Sequence, residues 1–327
     1  MTPFRNRFVA IWLVLVVATM TAATISLMTG PAYGQAAESA GNAEESNEPD
    51  PIAEFELLPL GPVALNNALR FGCDGKDAEG HKTGCIVDMS INKAVIYLWL
   101  AALICCLFTV LVARRMQLKP NKTQTFTEVV YEFAHDSIAK ATLGEKTFSR
   151  YMPYVASLFM FLWVVNLISF IPLPFGHESA WGIADFGLYA ATSNINVTLA
   201  LTLVTFFVSH FEGVRHNGLI KYMGSWKPHG VNPILGGFIW VIEFISQLLR
   251  LVSMSVRLFA NMLAGHLLIL MMLSLIAIIG SVFIAIGTVP IAVFFFLFEF
   301  GLVATLQAFI FAMLSGIYIG GAAEPQH

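Results

Sequence analysis

Long apolar stretches alternate with short polar ones along most of this 327-residue chain. Each of the five stretches that follow residue 90 has at least about the 20 apolar residues that a helix needs to cross a bilayer. We therefore predict an all-α integral membrane protein with five transmembrane helices. The five stretches cover residues 93–113, 151–172, 193–212, 234–279 and 291–319.

The composition supports a membrane protein. Hydrophobic residues make up 57% of the chain and charged residues only 12%, and the mean hydropathy is +0.73. A soluble domain carries about 25% charged residues, so the composition excludes a water-soluble fold, a disordered chain and a coiled coil. The net charge of −3 offers no basic surface for nucleic acid.

The N-terminus has the pattern of a secretory signal peptide. Arg5 and Arg7 precede an apolar run that ends near Ala23, and small residues follow. The alternative is a first anchor helix that stays attached, and in both cases the next segment lies outside the cytoplasm. The predicted division is a signal peptide over residues 1–36, an extracytoplasmic segment over 37–90, a membrane domain over 91–320 and a cytoplasmic tail over 321–327.

Two cysteines bracket a polar loop in the predicted extracytoplasmic segment. Cys73 and Cys85 would lie in an oxidising compartment, which favours a disulfide bond between them. A zinc site is the alternative, but zinc would need more ligands than these two cysteines and His81. We therefore predict a disulfide here and no zinc site. We expect the chain to bind neither another metal ion nor a cofactor.

The basic residues between the apolar stretches predict the orientation. Seven Lys and Arg residues lie in residues 114–150 and three in residues 213–229, whereas residues 173–192 have none. The positive-inside rule places the first two regions in the cytoplasm and the third outside. With five crossings, the mature N-terminus is then outside and the C-terminus is cytoplasmic, which fits a multi-pass protein of the cell inner membrane.

The first cytoplasmic region contains an amphipathic segment. Between residues 125 and 147, apolar side chains recur on or near one face, and charged residues fill the rest. This pattern is typical of a helix that lies on the membrane surface. The apolar positions are Phe126, Val129, Val130, Phe133 and Ile138.

The fourth apolar stretch is too long for an ordinary crossing. A helix over residues 234–279 would be about 69 Å long, roughly twice the ~30 Å hydrocarbon core. Two crossings with a turn are the alternative, but the middle of the stretch has no proline and only one glycine, Gly265. Turn residues follow only at Gly280, Gly287 and Pro290. We therefore predict one strongly tilted helix, with the fifth stretch returning as its hairpin partner.

Charged residues recur inside this stretch at a helical spacing. Glu243, Arg250 and Arg257 are seven residues apart, so they share one face, and Asn261 continues it. An arginine at mid-membrane costs about 2.5–3.5 kcal/mol on insertion scales. For Glu243 and Arg250 an ion pair or snorkelling is an alternative to function. Arg257 has no acidic residue within one turn, so we expect its partner to come from another chain.

A second polar position lies beyond Arg257 on the same stretch. His266 follows it by nine residues, which places it on the opposite face and about 13 Å further along the axis. On the return helix, Glu299 and Gln307 can meet His266 across the hairpin. An intramembrane histidine with a glutamate is typical of a proton relay, and a buried neutral pair is the alternative.

Four segments of the chain resemble one family. Residues 255–266, Ser-Val-Arg-Leu-Phe-Ala-Asn-Met-Leu-Ala-Gly-His, closely resemble the signature of the a subunit of F-type ATP synthases. Residues 306–311, Leu-Gln-Ala-Phe-Ile-Phe, resemble the last-helix motif of that family. Residues 192–201 resemble its fourth-helix entrance, and Asn166-Leu167 with Pro172 the end of an earlier helix. The resemblance covers roughly residues 85–320.

The resemblance implies a stator subunit that conducts protons and does not itself catalyse ATP synthesis. Its implied partners are a rotating ring of c subunits, the peripheral stalk formed by b subunits, the lipid bilayer and protons. Arg257 matches the essential arginine that faces the ring, and His266 matches a position that lines the outer half-channel. Asn261 and Gln307 match polar residues near the ring, and Glu243 an acidic residue of the same long helix.

The chain departs from the family pattern on the return helix. Many relatives have an ionisable residue seven positions before the matched glutamine, but here Phe300 occupies that position and Glu299 is eight before Gln307. One residue rotates a side chain by about 100° on a helix. Either a local bulge restores the position, or Glu299 serves the channel from a different angle.

Two other classes of function are open to a chain with an intramembrane arginine. A secondary transporter could bind an anionic substrate at Arg257, but we find no internal repeat of the kind that such folds contain. An intramembrane enzyme needs a nucleophile with a base, or a metal motif such as HExxH, and the sequence has no such motif. No Gly-x-x-x-x-Gly-Lys-[Ser/Thr] loop for ATP phosphates is present either.

Overall fold

The computed structural model describes nine parts of the chain. They are residues 70–71, 75–76, 82–83, 87–88, 93–115, 121–171, 190–227, 232–279 and 282–323. The predicted signal peptide and both Cys73 and Cys85 lie outside these residues. The signal peptide and the disulfide therefore stay predictions.

Short antiparallel strand pairs lie in the segment before the first membrane helix. Arg70 pairs with Asp88 in one two-stranded sheet, and Gly75 pairs with Thr83 in the other. Both pairings belong to one continuous antiparallel register. The step of five residues from Arg70 to Gly75 on one side matches the step of five residues from Asp88 back to Thr83 on the other. The strands are β1 (Arg70–Phe71), β2 (Gly75–Lys76), β3 (Lys82–Thr83) and β4 (Val87–Asp88).

Apart from these strands, the described residues are almost entirely helical, as the apolar pattern predicts. Two π-helical segments and one 3₁₀ turn interrupt or join the α-helices. The α-helices are α1 (Lys93–Arg114), α2 (Lys122–Glu132), α3 (Lys140–Thr142), α4 (Glu145–Ile168), α5 (Ile195–Asn217), α6 (Leu219–Ser225), α7 (Pro233–Ile279), α8 (Val282–Phe298) and α9 (Ala304–Ala323).

Among the described residues, five helical spans are long and apolar enough to cross a membrane, which agrees with the number predicted after residue 90. Each of them overlaps one of the five apolar stretches. They are Ala94–Arg114, Thr147–Ile168, Ile195–Asn217, Ile234–Ile276 and Phe283–Ala323.

The long fourth stretch forms one continuous helix. Helix α7 has 47 residues and is therefore about 70 Å long. The prediction of a single helix is confirmed, and the alternative of two crossings with a turn is wrong. The tilt of α7 against a bilayer stays a prediction.

The hairpin that α7 forms with α8 turns earlier than the sequence predicts. Gly287 and Pro290 lie inside α8, and the chain is already helical from Val282. Reading these two residues as turn signals is wrong. Proline and glycine are tolerated within membrane helices, where neighbouring groups satisfy the freed backbone atoms.

The amphipathic segment is helical, but it ends earlier than predicted. Helix α2 continues through a π-helical segment, Phe133–Ala139, into α3, and the chain is extended at Leu143. Ile138 is fully buried, whereas Phe126 and Phe133 are exposed. The position of this segment on the membrane surface stays a prediction.

The core lies around α4, and the long hairpin lies at its side. Helix α4 packs against α1 and α9, and α5 packs against α9 and α7. In the most apolar window of α4, 78% of the residues are buried, compared with 17% in α7 and 17% in the return span. The hairpin therefore offers a large apolar surface to lipid or to another subunit.

Candidate functional site

The charged and polar stripe of α7 lies largely on its free surface. Arg250, Arg257 and Asn261 are exposed, and Glu243 is half-buried. The spacing of seven residues holds because α7 is helical throughout. Arg257 and Asn261 therefore lie on a side of the hairpin that the rest of the described chain leaves open, whereas Glu243 and Arg250 lie nearer to α5 and α9.

Arg257 has no anionic partner in the described part of the chain. The ion pairs found there belong to Asp136, Glu212 and Glu299, and none of them includes Arg257. The guanidinium is therefore available to an external carboxylate. That the partner of Arg257 comes from elsewhere stays a prediction.

Glu243 and Arg250 do not pair with each other. Gln247 donates a hydrogen bond of 2.8 Å to Glu243, and the Arg250 guanidinium lies 4.8 Å from the centre of the Tyr318 ring. The ion pair that the spacing allows is thus absent from this structure. A cation above an aromatic face gains electrostatic stabilisation, which holds Arg250 close to α9.

His266 and Glu299 meet across the hairpin, as predicted. His266 Nδ1 lies 3.0 Å from Glu299 Oε1, and the two residues are only 2% and 3% exposed. A hydrogen bond at this distance needs one proton between the two atoms, and either group can carry it. The other polar atoms of the pair, His266 Nε2 and Glu299 Oε2, are buried and form no hydrogen bond with described residues. Buried polar atoms normally have partners, so this pair is suited to contact water.

Gln307 does not join this pair. It is buried on α9, but among the described residues it forms no hydrogen bond with His266. The expectation that Gln307 meets His266 is therefore wrong. Helix α9 begins only after the π-helical segment Glu299–Val303, and Gln307 follows Glu299 by about two helical turns.

A π-helical turn resolves the offset of Glu299. Residues Glu299–Val303 form a π-helix, and the Ala304 N–H donates to the carbonyl of Glu299, five residues earlier. Such a turn accommodates one more residue than an α-helix. The eight residues from Glu299 to Gln307 therefore turn the chain through about the same angle as seven residues of a regular α-helix. Of the two predicted alternatives, the local bulge is the one present.

The absence of a side chain at Gly265 lets Glu299 reach His266. A Cβ atom built on Gly265 would collide with the carboxylate of Glu299. In the sequence, Gly265 stands out only as the single glycine in the middle of the fourth apolar stretch. Its position directly before His266 was the available clue, but the close contact could not be recognised without the fold.

An aromatic side chain closes the other side of the pair. Phe170 is buried, and its ring centre lies 4.9 Å from that of His266. It also packs edge-on against Phe296 and Phe300 of the return helix. Phe170 follows directly after α4, so no helical spacing in the sequence connects it to the hairpin.

A second polar region lies near the other end of α7. A cavity of about 370 Å³ lies between α5, α6, α7 and α9. At about 30 Å³ per water molecule, it has room for on the order of ten waters. Glu243, Gln247 and Arg250 line it from α7, and polar groups of α5 face them, including Thr205, Ser209 and His210.

The cavity and the His266–Glu299 pair lie on opposite sides of Arg257. Glu243 precedes Arg257 by about 21 Å of helix, and His266 follows it by about 13 Å. Two separate polar regions thus approach one arginine from opposite ends. This arrangement is suited to ion transfer in two steps, with the arginine between them.

Comparison with known proteins identifies the family. The family model of the ATP synthase A chain matches residues 95–320. The chain belongs to this family. The matched range includes four of the predicted crossings in full, nearly all of the first and every residue of the polar stripe.

Similar A chains come from several bacteria. The chain is 37% identical to ATP synthase subunit a of Rubrobacter xylanophilus over 245 residues, which cover 74% of this chain and 88% of the relative. It is 34% identical to that of Bradyrhizobium diazoefficiens over 283 residues, or 85% of this chain and 99% of the relative. With the subunit a of Anaeromyxobacter dehalogenans strain 2CP-C it shares 35% identity over 72% of this chain, but only 58% of that longer relative.

Family membership confirms the resemblance seen in the sequence. The A chain is a membrane-sector subunit of the ATP synthase, associates with other subunits of that complex and is not itself catalytic. With several helices long and apolar enough to cross a membrane in its described part, it is a multi-pass membrane protein that serves proton transport and ATP synthesis.

Proposed function

We propose that this A chain provides two proton half-channels and the arginine that separates them at the surface of a c-subunit ring. Proton flow through the half-channels would be coupled to ring rotation and ATP synthesis. One observation carries the proposal: Arg257 is exposed, has no anionic partner among the described residues and lies between two polar regions.

Arg257 would select the charge state of a carboxyl group that arrives on the ring. An ionised carboxylate is costly in lipid, so it travels there in its protonated form. Beside Arg257 the anion is favoured, because a pair of unit charges 4 Å apart is worth about 4 kcal/mol at an effective dielectric constant of 20. Each carboxyl group therefore releases its proton near Arg257 and takes up another after passing it.

An arginine is suited to separating the two half-channels. Its guanidinium does not lose its proton in proteins, whereas a buried lysine can. A proton therefore cannot hop through Arg257 from one polar region to the other. The route around it passes through the ring carboxylates and turns the ring.

His266 and Glu299 would form the proton-conducting part of the outer half-channel. Their contact of 3.0 Å allows a proton to pass between them, and Nε2 and Oε2 remain for water on either side. Asn261 and Gln307 would provide polar groups between this pair and the ring.

The cavity beside Glu243 would form the inner half-channel. Its volume of about 370 Å³ and its lining by Glu243, Gln247 and Arg250 suit a water-filled route. The basic residues 213–229 lie close to this end of α7 in the sequence, which supports a cytoplasmic opening.

The proposed function also includes the orientation of the chain, its membrane and its partner subunits. The mature N-terminus lies outside, the C-terminus lies in the cytoplasm, and the complex is in the cell inner membrane. The exposed apolar face of the hairpin contacts the c-ring, and b subunits of the peripheral stalk keep the chain from rotating with it. The driving force is about 2.3 kcal/mol per charge for each 100 mV, plus any pH gradient.

Substitution of the arginine tests the proposal. We expect Arg257→Ala to abolish ATP-driven proton pumping by the reconstituted ATP synthase, because ring carboxylates lose the charge that makes them release protons. Ser253→Ala is the matched control, since Ser253 is also exposed on α7. Native electrophoresis would verify assembly. Coupled pumping at the parent rate in an assembled Arg257→Ala complex would overturn the proposal.

A further inference from the structure

A histidine in the inner cavity has no place in the function described so far. His210 lies on α5 and lines the cavity opposite Glu243 and Arg250. Its Nε2 atom is buried and has no hydrogen-bond partner among the described residues. The ring packs 4.0 Å from that of Phe206 and 6.1 Å from that of Trp226, measured between centres.

The other ring nitrogen determines which atom of His210 can accept a proton. Nδ1 lies 2.9 Å from the backbone carbonyl of Phe206. A carbonyl oxygen can only accept, so Nδ1 carries a proton and donates it. In the neutral ring, the lone pair is therefore on Nε2, the atom without a protein partner.

A merely structural role leaves this arrangement unexplained. The cavity wall near His210 is aromatic, with Phe206, Tyr222 and Trp226 around the ring. An apolar side chain would pack there without burying an unpartnered nitrogen, which is unfavourable. Because His210 lines a cavity with several polar groups, a small rotation of its ring would bring this basic nitrogen to cavity water, which suits proton exchange.

We infer that His210 carries protons through the inner half-channel by way of Nε2. This inference rests on the proposed function, because it assigns a residue to that half-channel. During ATP synthesis, a proton released by the ring enters the water of the cavity, and that water protonates Nε2. The imidazolium holds a proton on each nitrogen, and Nε2 then passes one to the next water. The neutral ring with the Nδ1 proton is thereby restored.

Two substitutions of His210 separate proton transfer from packing. In His210→Asn, an amide N–H takes the place of Nδ1 and keeps the bond to Phe206, but nothing titrates. His210→Ala opens space for a small base. His216→Asn is the matched control, since His216 is an exposed histidine in the last turn of the same helix.

The measurement is ATP synthesis by the complete ATP synthase in liposomes. A potassium diffusion potential drives it with equal pH on both sides, so that a permeant base does not dissipate the driving force. We expect both His210 variants to run about ten-fold slower than the parent enzyme and His216→Asn to run at the parent rate. Rates are divided by the amount of assembled complex.

Chemical rescue is the decisive readout. Imidazole at millimolar concentration should restore much of the rate of His210→Ala, because it can accept and donate protons in the cavity. Pyrazole has a similar size but is a far weaker base, and it should restore nothing. A packing defect would respond equally to both compounds or to neither.

The outcomes separate this inference from the proposed function. If Arg257→Ala abolishes synthesis while His210→Asn runs at the parent rate, the role of His210 is overturned and the half-channels remain. Slow His210 variants without specific rescue by imidazole also overturn it. If Arg257→Ala synthesises ATP at the parent rate, the proposed function itself fails.

Discussion

The two polar regions of α7 differ in how tightly they are built. At the His266–Glu299 pair, two side chains less than 5% exposed are in direct contact, with Phe170 against one of them. At the other end, Glu243 and His210 line a cavity of about 370 Å³ and bond to residues of their own helices. One region depends on contact between side chains, and the other on water between them.

This difference predicts unequal sensitivity to mutation. A direct hydrogen bond requires both partners in place to within a few tenths of an ångström. Water in a polar cavity can rearrange around a lost group, because several paths connect the same ends. Small changes should therefore be severe near Glu299, whereas along the cavity wall they should be mild wherever the changed group does not itself carry a proton.

Among changes that test this difference between the two regions, the largest effect is expected from a single methyl group at Gly265. Gly265→Ala places a Cβ where the carboxylate of Glu299 lies, so Glu299 must turn away from His266. We expect proton pumping by the reconstituted complex to fall about ten-fold or more. Gly287→Ala is the control, because a Cβ there meets nothing within 4 Å.

Normal pumping in an assembled Gly265→Ala complex would contradict the predicted difference between the His266–Glu299 pair and the cavity. It would mean that Glu299 reaches the proton route without its contact to His266. The outer half-channel would then tolerate small mutations as well as the inner half-channel does.

A smaller effect should follow changes in the π-helical turn. Deleting Gly301, which is exposed, removes the extra residue, so a regular α-helix should form with Glu299 still facing His266. The exchange of Glu299 for Phe and Phe300 for Glu instead rotates the carboxylate by about 100°. We expect pumping to remain near the parent rate in the deletion and to fall several-fold in the exchange.

The opposite order of these two variants would contradict the role given to the π-helical turn. Pumping that survives the exchange but not the deletion would mean that the orientation of Glu299 does not matter. A structure of the deletion variant by electron cryo-microscopy would show directly whether the turn has become α-helical.

The elements of the hairpin could be predicted because their signals are local. An apolar run without a proline in its middle predicted α7, and a spacing of seven residues placed Arg257 on the charged stripe. The spacing of nine residues placed His266 on the opposite face, and in the structure Arg257 is exposed whereas His266 is buried. The turn was predicted too late in the chain, because proline and glycine residues such as Pro290 and Gly287 are tolerated within the helices of a membrane protein.

The inner region was missed because its parts come from distant segments. His210 belongs to α5 and Tyr318 to α9, and neither has a spacing that relates it to Glu243. The same reason explains Phe170, which follows α4 and contacts the hairpin only in the folded chain. Contacts between side chains of different helices require the packing, which a single sequence does not supply.

The smallest effect is expected from removing one hydroxyl group from the cavity wall. Thr202 lines the cavity, and its hydroxyl donates to the carbonyl of Thr198 on the same helix. Thr202→Val keeps the shape and loses one polar contact for water. Because the remaining polar groups still order a continuous chain of water, we expect pumping to change by less than about two-fold. A loss as large as that of Gly265→Ala would mean that the inner route is also a single file of fixed contacts, and the two halves of α7 would then work in the same way.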